Sequence, residues 1–489
     1  VVIAKMRSRF VNSVRFAIVC LTVLVATVMA APERAAAIPV LANGQRVSCS
    51  QCHSAPPNLN PYGRYIMVTN FSKVLDAHAQ MRENLSDPVS VIVAGNGTNI
   101  PDPNISKIVL GLLQVNSAGY IGQDVTYYAS IPIVDGGFPA AGVDQLWGAY
   151  NGFFHGNGSL QIGDFPTPMF SPWLSQSMSL AGYTLAAMPV GLNAVGIGDN
   201  RWGASYTQIG SNGLVANVAY MTNEGPLERA YDTNANNSTS AAVGESWVAS
   251  LQQMSFNSHF TGGLAAMAGT FPLPSGARDA YNRTMALASY STSPNYSLIA
   301  MALIGHDSNP NDGTSPSSGS NGWSFEGIAS PLAWLHLDAR YERANDGLGT
   351  IQNNYVGDLA FSIMPNLIVT LENVSSVGTT PVTSYQVLWA GPWIQHRRAP
   401  QTAGVSSPGA QGSGSGKQLY AANCASCHGA TGEGGVGPSL HGIATKKSPD
   451  ATVAFIESPS GGIMPKLYPS ALSAAQVQEV AAYIRDTFR

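Results

Sequence analysis

Residues 99–398 predict a mainly β fold, a transmembrane antiparallel β-barrel of about 16 strands, set between a small N-terminal unit and an all-α C-terminal one. Three observations predict it. Short runs alternate apolar and polar residues with period two, separated by Gly, Asn, Asp, Ser and Pro. The chain lacks the several apolar runs of about 20 residues that a helical membrane protein needs. Lys107 is the only lysine of the region, while Trp147, Trp202, Trp247, Trp323, Trp334, Trp389 and Trp393 lie at or near segment ends, as an aromatic girdle requires.

The alternation is readable residue by residue. In Asp124–Asp135, Val125, Tyr127, Ala129, Ile131 and Ile133 share one face, and Asp124, Thr126, Tyr128 and Ser130 the other. In Ala333–Glu342, Ala333, Leu335, Leu337, Ala339 and Tyr341 oppose His336, Asp338, Arg340 and Glu342. Asn354–Met364 sets Tyr355, Leu359, Phe361 and Ile363 against Asp358 and Ser362. A soluble sandwich or propeller also alternates, but with internal repeats or more large aliphatics. At 489 residues the chain exceeds one ordinary domain, only 11% of it is charged, and a net charge of −4 argues against a nucleic-acid partner.

Residues 1–37 read as a secretory signal. Lys5, Arg7, Arg9 and Arg15 precede the apolar run Phe16–Ala30, and small residues follow. An N-terminal anchor is the alternative, for which the run is short. Cleavage would remove Cys20, and the remaining four of the five cysteines then fall in two C-x-x-C-H motifs.

The N-terminal unit, 38–98, holds the first motif: Cys49, Cys52 and His53. Two thiols at this spacing add to the vinyl groups of a haem, and the following histidine binds iron. A structural zinc site needs a second ligand pair that is not nearby, and a Cys49–Cys52 disulfide is the other alternative. Tyr65–Leu85 reads as mostly helical; His78, Met67 and Met81 are candidate sixth ligands, His78 foremost. Sixty-odd residues bury little core alone, so the unit is expected to pack on something larger. An even strand number puts both barrel ends at the periplasm, where this unit would plug the lumen or sit beneath it. The charged inward faces then line that contact or are simply solvated. His155, His259, His306, His336 and His396 are conceivable iron ligands, each more readily a lumen, loop or interface residue.

Residues 399–416, rich in Gly, Ser and Ala, form a linker with an end-to-end distance of roughly 20–25 Å. Beyond it, 417–489 carries Cys424, Cys427 and His428, then Pro438 in G-P-S-L, Met464 in M-P-x-L and the amphipathic run Ala474–Phe488. This stretch resembles class I cytochrome c along its whole length. The resemblance implies thioether bonds at Cys424 and Cys427, His428 as proximal ligand and Met464 as distal ligand, which raises the potential relative to bis-histidine ligation. Lys446, Lys447 and Lys466 either ring the haem edge and steer partners or are solvated.

The arrangement over 38–398 resembles fused outer-membrane porin–cytochrome proteins, including iron-oxidising cytochromes. Cys49-Ser50-Gln51-Cys52-His53 followed by L-N-P-Y-G-R at Leu59–Arg64 carries the likeness most sharply. It implies a haem unit held in a pore and electrons crossing the outer membrane. The second haem domain departs from that family's usual form. The expectation is therefore a protein with two covalent haem c groups, in the outer membrane with its C-terminal domain in the periplasm. It would take electrons from an external donor, Fe(II) favoured, and pass them to periplasmic cytochromes or copper proteins, as an Fe(II):cytochrome c oxidoreductase or a simple carrier. Outward flow to an external acceptor uses the same parts. A porin with haem-bearing accessory domains and a soluble periplasmic oxidoreductase are the other readings.

Overall fold

The computed structural model describes residues 52–72, 89–98, 109–222, 244–392 and 416–489, less short interior stretches. Residues 1–37 and 399–415, expected as signal and linker, and Cys49, Cys427, His78, Met81, His155, Trp393, His396 and Lys466 lie outside the described residues.

After a small hairpin, β1 (His53–Ala55) and β2 (Asn58–Leu59), comes helix α1 (Pro61–Val68). Strands β3 (Val89–Thr98), β4 (Val109–Ile121), β5 (Val125–Asp135), the two-residue β6 (Phe138–Pro139), β7 (Gln145–Phe153) and β8 (Gly158–Pro166) follow. A long insertion, 167–199, carries short helices α2 (Ser171–Leu174) and α3 (Thr184–Ala187). The wall resumes with β9 (Asn200–Ile209), β10 (Leu214–Thr222), β11 (Glu245–Met254), β12 (Phe260–Pro272), β13 (Arg278–Ser293) and β14 (Tyr296–Asp307). It ends with β15 (Ser318–Leu332), β16 (Leu335–Asn345), β17 (Ile351–Met364), β18 (Leu367–Ser376) and β19 (Val382–Pro392). Each strand pairs antiparallel with its neighbours, and β19 returns to β3, closing the barrel. Setting aside β6, sixteen strands make the wall, as the alternation predicts.

Closure leaves no sheet edge, and the period-two pattern separates two environments. Ile131, Ile162, Leu251, Leu264, Leu298, Phe325 and Leu359 point outward and are exposed. His336, Asp338, Arg340 and Glu342 point inward and are buried. A closed barrel that is apolar outside and polar inside is the architecture of an outer-membrane protein. Outward aromatics pair along it, including Tyr220 with Trp247 and Tyr341 with Tyr355.

Two expectations need correcting. The wall begins at Val89, inside the stretch given to the N-terminal unit, because V-S-V-I-V shows little alternation when read alone. Trp147 belongs to no girdle: it is 7% exposed and faces the lumen.

One rim has connections of two to five residues, and the other has the longer ones. Ser90 pairs with Pro392, so both ends of the barrel segment lie at the short-turn rim.

The C-terminal unit is all-α, as expected: α4 (Gly416–Asn423), α5 (Ile443–Lys446), α6 (Pro449–Glu457) and α7 (Ala474–Thr487). Ser473 and Gln476 close a capping box on α7, satisfying two otherwise orphaned donors. Val477, Val480, Ala481 and Ile484 form its buried face, and Tyr420 of α4 packs on Tyr483 and Phe488.

Candidate haem centres

The first centre is built around helix α1. Asn60 caps it, its Oδ1 accepting from Gly63 N at 2.9 Å, and Pro61 supplies a φ already suited to the first turn. A side chain at position 63 would strike the Cys52 carbonyl oxygen, so glycine there lets the helix lie directly on the C-x-x-C-H backbone. Asn60 N also donates to Cys52 O at 2.9 Å. Beyond the helix, Asn70 and Phe71 both take left-handed φ, 52° and 62°. Such angles in non-glycine residues cost about 1–3 kcal/mol each and persist only where neighbours dictate them.

The barrel wall dictates them here. Thr126 Oγ1 donates to Asn70 O at 2.7 Å, Asn70 Nδ2 donates to Ser159 Oγ at 2.9 Å, and Tyr120 OH donates to Phe71 O at 2.5 Å. The Phe71 ring packs on Trp147 at 5.3 Å and on Tyr128 at 6.0 Å. Residues 52–72 are therefore held inside the barrel by inward-facing side chains of β4, β5, β7 and β8.

His53 is buried, and its Nδ1 lies 3.0 Å from Pro57 O. A carbonyl only accepts, so Nδ1 carries the proton and Nε2 keeps its lone pair. Burial depresses the imidazole pKa to about 4, which keeps it in the neutral form that ligates metal. His428 repeats the device: its Nδ1 lies 2.8 Å from Pro438 O, and burial again lowers its pKa. A histidine tied through Nδ1 to a backbone carbonyl presents Nε2 in a fixed orientation, so both residues fit the proximal side of a haem. Arg64 offers a further fit to an acidic group. It is 3% exposed, stacks 5.2 Å above Trp173 and leaves Nε without an acceptor; Trp173 Nε1 also lacks one. Two orphaned buried donors side by side suit a haem propionate.

Met464 is half-buried against the apolar core, while Cys424 is buried at the end of α4 with His428 N donating to its carbonyl at 2.9 Å. Replacing Met464 by alanine is expected to lower the reduction potential of one haem and leave the other unchanged; spectroelectrochemistry reads this directly. Met67, in α1, is half-buried against the core. The described barrel histidines, His259, His306 and His336, behave as the plainer reading had them. His336 is buried with Nδ1 at 2.9 Å from Ser330 Oγ and Nε2 at 2.9 Å from Ser362 Oγ, so both nitrogens are occupied. His259 lies 2.8 Å from Ser291 O at a turn, and His306 is exposed.

The alternation pattern does not announce the second occupant of the lumen. The insertion 167–199 folds inward from the long-loop rim and meets α1 at the Arg64–Trp173 stack. Its hold on the wall is polar. Ser179 Oγ and Ala181 N donate to Glu372 at 2.6 and 3.0 Å, Thr184 N and Oγ1 donate to Glu342 at 3.1 Å, and Tyr183 OH donates to Glu326. Arg340 Nη2 donates to Ala181 O at 2.8 Å, with its guanidinium 4.2 Å from the Tyr183 ring. Asn193 Nδ2 reaches Asp279 and Asp307, the latter paired with Arg283 at 2.7 Å. Asp279, Asp307, Glu326, Arg340, Glu342 and Glu372 are thus not solvated but grip this segment. An apolar, unpatterned stretch with Phe170, Trp173, Met178 and Tyr183, set between two strands, was the available signal.

Residues 413–484 match the family described as cytochrome C oxidase, cbb3-type, subunit III. The chain is thus a barrel fused to a cytochrome c domain, and that domain implies covalently bound haem c. No curated protein matches the chain. Among solved structures, the anion-selective porin from Comamonas acidovorans aligns with a TM-score of 0.47 and 13% identity, over 63% of this chain and 99% of that one. The channel DcaP of Acinetobacter baumannii aligns at 0.45 and 10%, over 62% and 96%. OmpT of Vibrio cholerae aligns at 0.44 and 10%, over 62% and 97%. At these scores the likenesses add nothing to the closed barrel already described.

Proposed function

We propose that this barrel–cytochrome fusion is a diheme electron conduit of the outer membrane, carrying electrons from an extracellular donor, Fe(II) favoured, to periplasmic cytochromes or copper proteins. The observation that carries the reading is the position of His53: buried within the barrel, with its Nδ1 tied to a carbonyl so that Nε2 keeps the lone pair that binds iron. Bound haem supplies one-electron chemistry at Cys49/Cys52/His53 and at Cys424/Cys427/His428/Met464. The chain's own residues position and insulate. Pro57 O and Pro438 O fix the two imidazoles, Arg64 and Trp173 offer donors to an acidic edge, and Phe71, Tyr128 and Trp147 pack residues 70–71 against the wall.

The first wall strand begins and the last one ends at the same rim, which favours a relay toward that side. Sixth ligation of the first haem by His78 belongs to this proposal. Ferrous iron as the donor rests on the resemblance of C-S-Q-C-H…L-N-P-Y-G-R to iron-oxidising cytochromes.

Rapid mixing of the purified, haem-loaded protein with Fe(II) at acidic and neutral pH tests the donor. Growth of the reduced haem spectrum is expected within the mixing experiment. An oxidised spectrum under every condition would falsify iron oxidation.

A further inference from the structure

Five inward carboxylates lie close together on the wall: Glu326 on β15, Asp338 and Glu342 on β16, Asp358 on β17 and Glu372 on β18. All are 4% exposed or less. The pairing register sets Asp338 directly opposite Asp358, and Asp358 directly opposite Glu372. Side chains opposed in this way have Cβ atoms about 5 Å apart, where like charges repel. The cations facing them are Arg340 on β16, 3.4 Å from Glu342 and 4.0 Å from Glu326, and Arg64 on α1.

The glutamates are provided for. Glu326 accepts from Tyr183 OH, Glu342 from Thr184, and Glu372 from Ser179 and Ala181. The two aspartates are not: no N–H or O–H donor reaches the buried oxygens of Asp338 or Asp358, whose polar neighbours include the carboxyl groups of Glu326 and Glu372 respectively. Buried carboxylates without partners are among the costliest groups a protein can hold, so four orphaned acceptor oxygens facing each other point to a ligand that supplies positive charge.

We propose that Asp338 and Asp358 bind a divalent cation inside the barrel, of the oxygen-preferring class to which Mg2+, Mn2+ and Fe2+ belong. Among the described residues no group of three or more His, Cys, Asp or Glu side chains is arranged to hold a metal ion. The aspartates are therefore the two protein ligands and water completes the shell, an arrangement such ions accept. The site stands whether or not iron is the electron donor; a ferrous donor would meet the same oxygens, and only that extension rests on the function proposed above.

Mn2+ is the probe. Full-length haem-loaded protein in detergent, washed with EDTA, is titrated with Mn2+ while the EPR signal of the free aqueous ion is followed. Wild type is expected to remove one equivalent that the double variant Asp338→Asn/Asp358→Asn does not remove, the variant keeping its haem spectrum. No uptake by wild type, or equal uptake by the variant, overturns the site and leaves protonation of one carboxyl as the way the repulsion is relieved. Asparagine is isosteric and removes buried charge, so folding is expected to survive. Should the double variant not fold, Asp358→Asn is read alone: uptake weaker by at least about tenfold is expected, and unchanged uptake overturns the proposal.

Discussion

Arg340→Ala is expected to free the lumenal insertion and to lower stability by about 3–5 kcal/mol, the cost of breaking a buried ion pair from one side. The guanidinium is the one basic group of β16 turned inward toward the carboxylates. It lies 3.4 Å from Glu342 and 4.0 Å from Glu326, donates to Ala181 O at 2.8 Å and stacks on Tyr183. Alanine leaves two buried carboxylates facing each other without it and removes the bond to the turn at Ala181. Two measurements check this. Heat-induced unfolding in detergent should shift to lower temperature, and conductance in planar bilayers should rise as 167–199 leaves the lumen. Unchanged conductance together with unchanged melting would mean that Asn193 and the apolar contacts hold the insertion by themselves. Pairing Arg340→Met with Glu326→Gln and Glu342→Gln should recover most of the loss, because the penalty is uncompensated charge and not lost volume.

If the protein carries the two haems proposed, His53→Ala is expected to leave one that is redox-active. The imidazole is the proposed proximal ligand, and no other described histidine of the barrel can replace it: His336 is committed to two serine hydroxyls, and His259 and His306 sit at a turn and on an exposed face. In proteoliposomes loaded with an oxidised periplasmic-type cytochrome, reduction by an external donor should fall to the rate of protein-free vesicles. His428→Ala is the matching control. It should abolish onward transfer while external donor still reduces the remaining haem. If His53→Ala conducted as fast as wild type, the lumenal centre would not lie on the path.

Much of this was legible in the residues, for identifiable reasons. Leu335–Asn345 reads cleanly because water-facing and lipid-facing sides of a strand demand opposite chemistry at every second position, and both environments were present. The C-terminal unit is legible because haem attachment fixes local spacing: Cys424, Cys427 and His428 must be adjacent in sequence to be adjacent in space. What was not legible depended on long-range contacts. Val89–Thr98 is a wall strand with Val89, Val91 and Val93 on one face and Ile92 and Ala94 on the other, so neither face is marked polar and the alternation fades. Trp147 looks like a girdle residue because position along a strand does not reveal which side a ring takes; it faces Phe71 instead. The charges of β15–β18 could be read as solvated because their partners, Ser179, Ala181, Tyr183 and Thr184, come from a segment 143 to 193 residues away with no periodicity to announce it.

The placement of residues 52–72 also dictates an order of manufacture. His53 is buried beneath the wall, and the turn at Asn70 and Phe71 is bonded to β4, β5 and β8. A maturation enzyme must reach both thiols and the imidazole of the motif at once, and a closed barrel denies it that access. If haem is attached at the first motif as proposed, attachment precedes closure of the wall, and the β-segment must wait unfolded while a small N-terminal piece is finished. The second motif, beyond the last strand, carries no such deadline. Cells starved of haem should consequently accumulate the chain as an unassembled precursor, halted before membrane insertion by its first few dozen residues.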